Sequence, residues 1–226
     1  MKKLEKLPEQ FKTDEVLPYY EKLCQKKGSL VLKRIFDIFI ALIMLGFLIL
    51  PIIVLSIIVK TTSKGHVFFR QERVTTYGKH FKIYKFRTMV ENAESLGAQV
   101  TTDSDSRVTP IGRFLRKYRL DELPQVFNVL GGSMSFVGTR PEVPRYVDQY
   151  KKEYYATLLL PAGITSLASI MYKDEEKLLS SVENADEVYI KTVLPEKMKY
   201  NLEYTRSFGF FSDIKLMFKT VKDVVS

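Results

Sequence analysis

The chain of 226 residues has a single cysteine, Cys24, and only two histidines, His66 and His80. One thiol cannot close an intramolecular disulfide, so cross-links neither staple the fold nor fix the redox compartment. Nor do these residues suffice for a structural zinc site of ordinary composition, which takes four Cys or His ligands. No internal repeat, no low-complexity tract and no second domain is visible. The first long apolar run starts late, at Ile38, and lacks a small-residue cleavage site, so it reads poorly as a secretory signal. Acids are scarce relative to bases: 26 Asp and Glu face 35 Lys and Arg, a net charge of +9. That excess suits an anionic partner, whether nucleic acid, a lipid headgroup surface or a phosphorylated substrate, and its sign does not choose among them. Apolar residues make up 46%, which excludes wholesale disorder.

Residues 38–59 carry no charge and are mostly Ile, Leu, Val and Phe. As one helix they would reach roughly 33 Å, about the hydrocarbon thickness of a bilayer. Pro51 interrupts the run, and a proline there removes a backbone hydrogen bond and crowds the preceding turn. The flanks are basic on both sides: Lys22, Lys26, Lys27, Lys33 and Arg34 before it, Lys60, Lys64, Arg70 and Arg73 after it. Basic flanks mark the cytoplasmic side. A hairpin bent at Pro51 satisfies both flanks, and a single span with a tolerated proline remains open on the residues alone.

The remainder reads as mainly α with a small antiparallel β-hairpin. Residues 1–30 are polar and read as a short helical or loose surface segment. Runs 67–74 and 80–86 flank a glycine-bearing loop and predict the two strands. Phe81, Ile83 and Phe86 are expected inward, with Lys82 and Lys85 facing the other way. Helices are expected over 89–98, 111–120, 124–130 (ending at Gly131-Gly132), 143–160 and 210–225, with one or two surface helices in 173–199, a polar loop at 101–109 and a turn at 138–141. Phe211, Ile214, Met217, Phe218 and Val221 fall on or near one stripe of the last helix, which suits a membrane surface or packing on the protein.

Asp121 and Glu122 are the residues best suited to chemistry. Pro124 favours a helix start there, so the pair sits at or just before a helix N-terminus, where free N–H groups and the dipole favour anions. An acid before a proline-started helix is most often a cap. The surroundings add to the case: Arg113, Arg116, Lys117 and Arg119 precede the pair, Arg87 ends the hairpin, and Arg140 lies in a Gly-Thr-Arg-Pro turn. Arginine grips phosphate bidentately, and carboxylates beside arginines can seat Mg²⁺ between protein and diphosphate.

Several blocks together carry a resemblance. They are Lys33-Arg34-Ile35-Phe36-Asp37, Phe68-Phe69-Arg70-Gln71, Lys85-Phe86-Arg87-Thr88-Met89, Arg113-Phe114-Leu115-Arg116, Leu120-Asp121-Glu122-Leu123-Pro124-Gln125, Asn128-Val129-Leu130 and Met134-Ser135-Phe136-Val137-Gly138-Thr139-Arg140-Pro141-Glu142. In order and spacing, over about residues 31–150, they resemble the monotopic phosphoglycosyl transferases, bacterial sugar transferases, in their small form. Leu50 stands where many members have serine before the proline, Thr139 where many have proline, and Ser133 where many have an acid.

The resemblance implies an N-terminal polar and basic segment (1–34), a re-entrant membrane helix (35–60) broken at Pro51, amphipathic interfacial helices, and a catalytic domain (61–226, core 61–150 and extension 151–226). That domain would face the cytoplasm from the bacterial inner membrane. It further implies that Asp121 attacks the β-phosphate of a UDP-sugar, releases UMP and passes the phosphosugar to undecaprenyl phosphate, with Glu122 as its catalytic partner and Mg²⁺ at Asp121. By the same carry-over Arg116 and Arg140 hold phosphate, with Lys85 and Arg87 as further candidates. The product would initiate a capsule, exopolysaccharide or glycoconjugate. A homo-oligomer and downstream glycosyltransferases are further candidate partners, and nucleic acid is not expected. The alternatives are a membrane-anchored basic protein that binds nucleic acid or anionic lipid, and a structural membrane scaffold. Both leave the Asp-Glu-Leu-Pro block idle.

Overall fold

The computed structural model describes residues 1–93, 105–172 and 184–225. In chain order the helices are α1 (Leu17–Gln25), α2 (Lys27–Thr62), α3 (Pro110–Lys117), α4 (Gln125–Leu130), α5 (Pro144–Val147), α6 (Leu167–Met171), α7 (Ala185–Val188), α8 (Leu194–Ser207) and α9 (Phe210–Val225). The strands are β1 (Phe68–Thr75), β2 (Lys79–Phe86), β3 (Met134–Val137) and β4 (Ala162–Thr165). The chain is thus mainly helical, with little sheet.

Among the described residues α2 is the one helix long and apolar enough to cross a membrane, and only 11% of its most apolar stretch is buried. A core helix of a soluble protein would be mostly covered. Phe47 is 78% exposed and Leu50 67%. The helix continues through Pro51 without interruption over all 36 residues, so the proline lies inside one helix and does not separate two. Apolar helices tolerate proline because local adjustments re-satisfy the freed backbone.

Both ends of α2 are tied to the same body. Near its start, Arg34 donates from Nη1 to Val129 O at 2.6 Å and from Nη2 to Leu130 O at 2.9 Å, which satisfies the open carbonyls at the end of α4. Lys33 Nζ donates to Val137 O at 2.7 Å and to Asp213 Oδ2 at 2.5 Å. At the far end, Arg87 Nη2 donates to Ser63 O at 2.7 Å and to Ser63 Oγ at 2.6 Å.

The expected hairpin is present. β1 and β2 pair antiparallel from Phe68 opposite Phe86 to Thr75 opposite Lys79. Its facing corrects the sequence reading. Side chains alternate with period two, so Lys85 shares a face with Ile83 and Phe81, and only Lys82 turns away. Phe86 lies on the opposite face, buried there by stacking on Phe68.

A second sheet is not among the elements the sequence predicts: β3 and β4 pair in parallel. Each is too short to show periodicity, and β3 is buried throughout. Gly138 and Gly163 let the two backbones touch there; a Cβ on Gly163 would lie 2.1 Å from Gly138 N and 2.6 Å from Gly138 Cα. Because the obstacle is backbone, Gly163→Ala should destabilise the protein by about 3 kcal/mol. Thermal unfolding should show this as a Tm lower by roughly 6–12 °C.

Other expectations change for tertiary reasons. The helix expected over 143–160 divides into α5 and a 3-10 segment, Lys152–Leu159, because Tyr150 leaves the helix to pack edge-on against Tyr154 and Tyr155. The helix expected over 89–98 lies partly outside the described residues. In its described part Met89 bridges antiparallel to Val108 and Val90 N–H donates to Arg107 O at 2.9 Å, so these two run extended, and the chain then turns at Glu91 and Asn92. Within 1–30 the short helical reading holds, as α1, but the segment is not a loose surface one, since Phe11, Val16 and Leu23 enter the core. Of 173–199, residues 173–183 lie outside the described residues; the rest carries Tyr189, Val193, Leu194 and Met198 fully into the core. In α9 part of the apolar stripe faces outward, with Phe211 80% and Phe218 73% exposed, while Met217 packs on the core and the acid Asp213 is buried against Lys33.

Candidate active site

The chain reaches Asp121 through a strained corner. α3 starts at Pro110, with the Thr109 hydroxyl accepting from Gly112 N–H at 3.0 Å, and it stops where Arg119 takes φ 55. Left-handed backbone is uncommon for a residue with a side chain and marks a position held by its surroundings. The corner feeds a single 3-10 turn, Leu120–Glu122, directly ahead of α4, which matches the expected place at a helix start. Asn128 fixes α4 against the hairpin: its Oδ1 accepts from Tyr84 N–H at 2.9 Å and its Nδ2 donates to Lys82 O at 2.9 Å. β2 therefore presents Lys85 to the acidic turn.

The two acids meet different surroundings. Glu122 Oε1 accepts from Lys85 Nζ and from Arg140 Nη2, each at 2.7 Å. Burial by itself would raise the Glu122 carboxyl, but Arg140 and Lys85 outweigh it and hold it well below its ordinary 4.5. Burial lowers the Lys85 ammonium, and the Glu122 charge works against that. Asp121 is also buried, yet it lines a cleft of about 1030 Å³ that Glu122 does not reach. Its carboxyl is raised above 3.8 by burial; Lys85 pulls it back, Glu122 adds to the rise, and Arg116 and Arg140 contribute attraction.

Of the residues expected in the site, Asp121, Glu122, Lys85, Arg116 and Arg140 come together. Arg87 lines the same cleft, but its guanidinium donates to Ser63 and to His66 O, so it also fastens the end of α2. Pro51 lies in α2, away from the cleft. Arg73 is an addition. It lines the cleft, donates from Nη1 to Pro141 O at 2.9 Å and from Nη2 to Gln71 Oε1, and leaves Nε buried without a hydrogen bond. A strict period-two reading finds it, because Arg73 pairs with Phe81 and so shares the face of Ile83 and Lys85. A cleft with Asp121 and Glu91 at its wall and Arg70, Arg73, Arg87, Arg107 and Arg116 around it suits a diphosphate, whose charge arginine neutralises with directed hydrogen bonds.

The sequence profile described as "Bacterial sugar transferase" matches residues 28–226. The chain belongs to the bacterial sugar transferase family. Within it, the chain is 35% identical over 198 residues to the UDP-N-acetylgalactosamine-undecaprenyl-phosphate N-acetylgalactosaminephosphotransferase of Aeromonas hydrophila, covering 86% of this chain and 44% of that one. It is 39% identical over 198 residues to the UDP-glucose:undecaprenyl-phosphate glucose-1-phosphate transferase of Klebsiella pneumoniae, covering 85% and 40%. A similarly named Escherichia coli transferase is 36% identical over 211 residues, covering 91% and 42%. This bacterial sugar transferase chain therefore spans less than half the length of these relatives.

Proposed function

We propose that the protein transfers a sugar 1-phosphate from a UDP-sugar to undecaprenyl phosphate, through a phosphosugar carried on Asp121. The observation that carries this reading is the unequal treatment of adjacent acids. Glu122 spends one oxygen on two cations, while Asp121 opens on the arginine-lined cleft. Relatives named for this transfer support the substrates.

In the first step an Asp121 carboxylate oxygen attacks the β-phosphorus, the bond to the bridging oxygen breaks, and UMP leaves with that electron pair. In the second an oxygen of undecaprenyl phosphate attacks the same phosphorus. The acyl-phosphate bond breaks and Asp121 returns as a carboxylate. Arg116 and Lys85 line the cleft, where they can neutralise the diphosphate, and Arg140 stands behind them on Glu122. Glu122 keeps Lys85 and Arg140 in place and stays ionised, so those cations are shared and do not both close on Asp121.

Among the described residues no cluster of three or more Asp, Glu, His or Cys could hold a metal alone. The donor set still fits Mg²⁺, which binds through one or two carboxylates and completes its shell with substrate phosphate and water; Asp121 and Glu91 are the carboxylates on the cleft, and Asp121 would hold the ion. When bound, the ion would neutralise charge on the diphosphate and its leaving group.

The membrane supplies the lipid. The exposed apolar middle of α2 and the fastening of both its ends to one body support a helix that enters the bilayer and leaves it on the same, cytoplasmic face, Pro51 marking where the unbroken helix would bend. The inward aim of Lys85 and Arg140 weighs against a nucleic-acid-binding surface.

The test is UMP release by the full chain in lipid nanodiscs, with undecaprenyl phosphate and a panel of UDP-sugars. At least one UDP-sugar should yield UMP, and EDTA should suppress release by about 100-fold or more, with excess Mg²⁺ restoring it. No UMP from any UDP-sugar, or release indifferent to EDTA, would contradict the reading.

A further inference from the structure

The C-terminal segment sends two side chains to the back of the turn that holds Arg140. Glu142 follows Arg140 by two residues and is buried. Its Oε1 accepts from Tyr189 Oη at 2.6 Å and lies 3.4 Å from Lys197 Nζ, and Lys197 Nζ donates to Tyr189 Oη at 2.8 Å. All three are at least nine-tenths buried. Tyr189 opens a π-helical turn, Tyr189–Val193, between α7 and α8, and its ring lies against Tyr146 with centroids 4.6 Å apart. π-turns are rare and cluster where a side chain must be aimed.

We propose that Lys197 and Tyr189 are positioning residues for sugar-nucleotide binding, acting through Glu142 on the Arg140 turn and on Arg73. The inference rests on the reading of the cleft as a sugar-nucleotide site. The turn is gripped on two sides. From β1, Arg73 Nη1 donates to Pro141 O, and Val74 N–H donates to Glu142 O at 3.0 Å. From the C-terminal segment, Tyr189 and Lys197 hold the Glu142 side chain. Arg140 projects from this clamped turn onto Glu122, and Arg73 from the same clamp onto the cleft wall.

A buried charged cluster is a poor way to gain stability, because desolvation consumes most of the attraction and apolar packing does as well. What it does impose is one geometry. A turn free to shift by an ångström would move Arg140 off both Glu122 and the phosphates, and misplacement on that scale costs rate and affinity far from the altered residue.

The experiment measures binding of UDP, with Mg²⁺, to the full chain in nanodiscs by calorimetry. It compares wild type, Lys197→Met, Lys197→Arg, Tyr189→Phe, Arg140→Ala and the Lys197→Met/Arg140→Ala double variant. Lys197→Met should weaken UDP binding by about tenfold and Tyr189→Phe by about threefold, while Lys197→Arg recovers most of the loss. On the Arg140→Ala background, Lys197→Met should cost less than about threefold, since most of its effect passes through the arginine already removed and only the part through Arg73 is left. Binding by Lys197→Met within twofold of wild type, or losses that simply multiply in the double variant, would overturn the proposal. Should Lys197→Met not fold, Tyr189→Phe, which lacks one oxygen only, decides alone: unchanged affinity overturns it. A wild type that binds no UDP defeats the sugar-nucleotide reading first, visibly before any variant is compared, and this inference with it.

Discussion

Asp121→Asn should release no measurable UMP from any UDP-sugar that the wild type uses, a loss of at least about 10⁴-fold. Asparagine keeps the size and shape of the side chain but has no carboxylate to offer phosphorus, so the first bond cannot form. The fold should not suffer. The Asp121 carboxyl is raised above its ordinary value, chiefly by burial. A raised acid binds its proton more tightly in the folded state, so its ionised form opposes folding at neutral pH. Replacing it with a neutral isostere should leave Tm unchanged or higher. An inactive variant that is no less stable separates a chemical role from a structural one. A Tm lowered by several degrees would place Asp121 in the framework of the fold.

Glu122→Gln carries the opposite sign. Its carboxyl is held well below 4.5 because Arg140 and Lys85 outweigh burial, so ionised Glu122 stabilises the folded state at neutral pH. Glutamine removes the charge that the buried Lys85 ammonium is bonded to. Breaking a buried pair by removing one partner costs about 3 kcal/mol, at the low end of the usual range. A chain of this size should then melt roughly 6–12 °C lower. Activity should fall too, by about 100-fold in kcat/KM. With Glu122 neutral, Lys85 and Arg140 turn to the remaining carboxylate, and a nucleophile clamped by two cations is a poorer one. Unfolding curves and initial rates on the same preparation check both parts. A variant as stable and as active as wild type would show that the observed clamp does not govern the site.

The sequence disclosed the site better than the fold. Asp121 and Glu122 were legible because a proline three residues on from the first acid fixes a helix start, and because arginines crowd the same stretch. The hairpin was legible from alternation in 80–86. Grouping Lys85 with Lys82 by charge points it the wrong way, whereas parity alone puts it with Ile83 and hence toward Glu122. The β3–β4 pairing is invisible to any local pattern: it joins two four-residue strands, and it is permitted by Gly138 and Gly163, whose role appears only when the backbones meet. The division of 143–160 follows from aromatic packing around Tyr150, which outweighs helix propensity. Lys197 and Tyr189 carry no local signal at all. They look like ordinary members of a charged helical stretch until the fold sets them against Glu142.

The most direct measurement is intact-protein and peptide mass spectrometry of the full chain after brief incubation with Mg²⁺ and a UDP-sugar that supports turnover, in the absence of undecaprenyl phosphate. The account predicts a mass gain equal to one phosphosugar, located on Asp121, absent from Asp121→Asn and discharged when undecaprenyl phosphate is added. UMP formed without any such adduct, only when both substrates are present together, would contradict it.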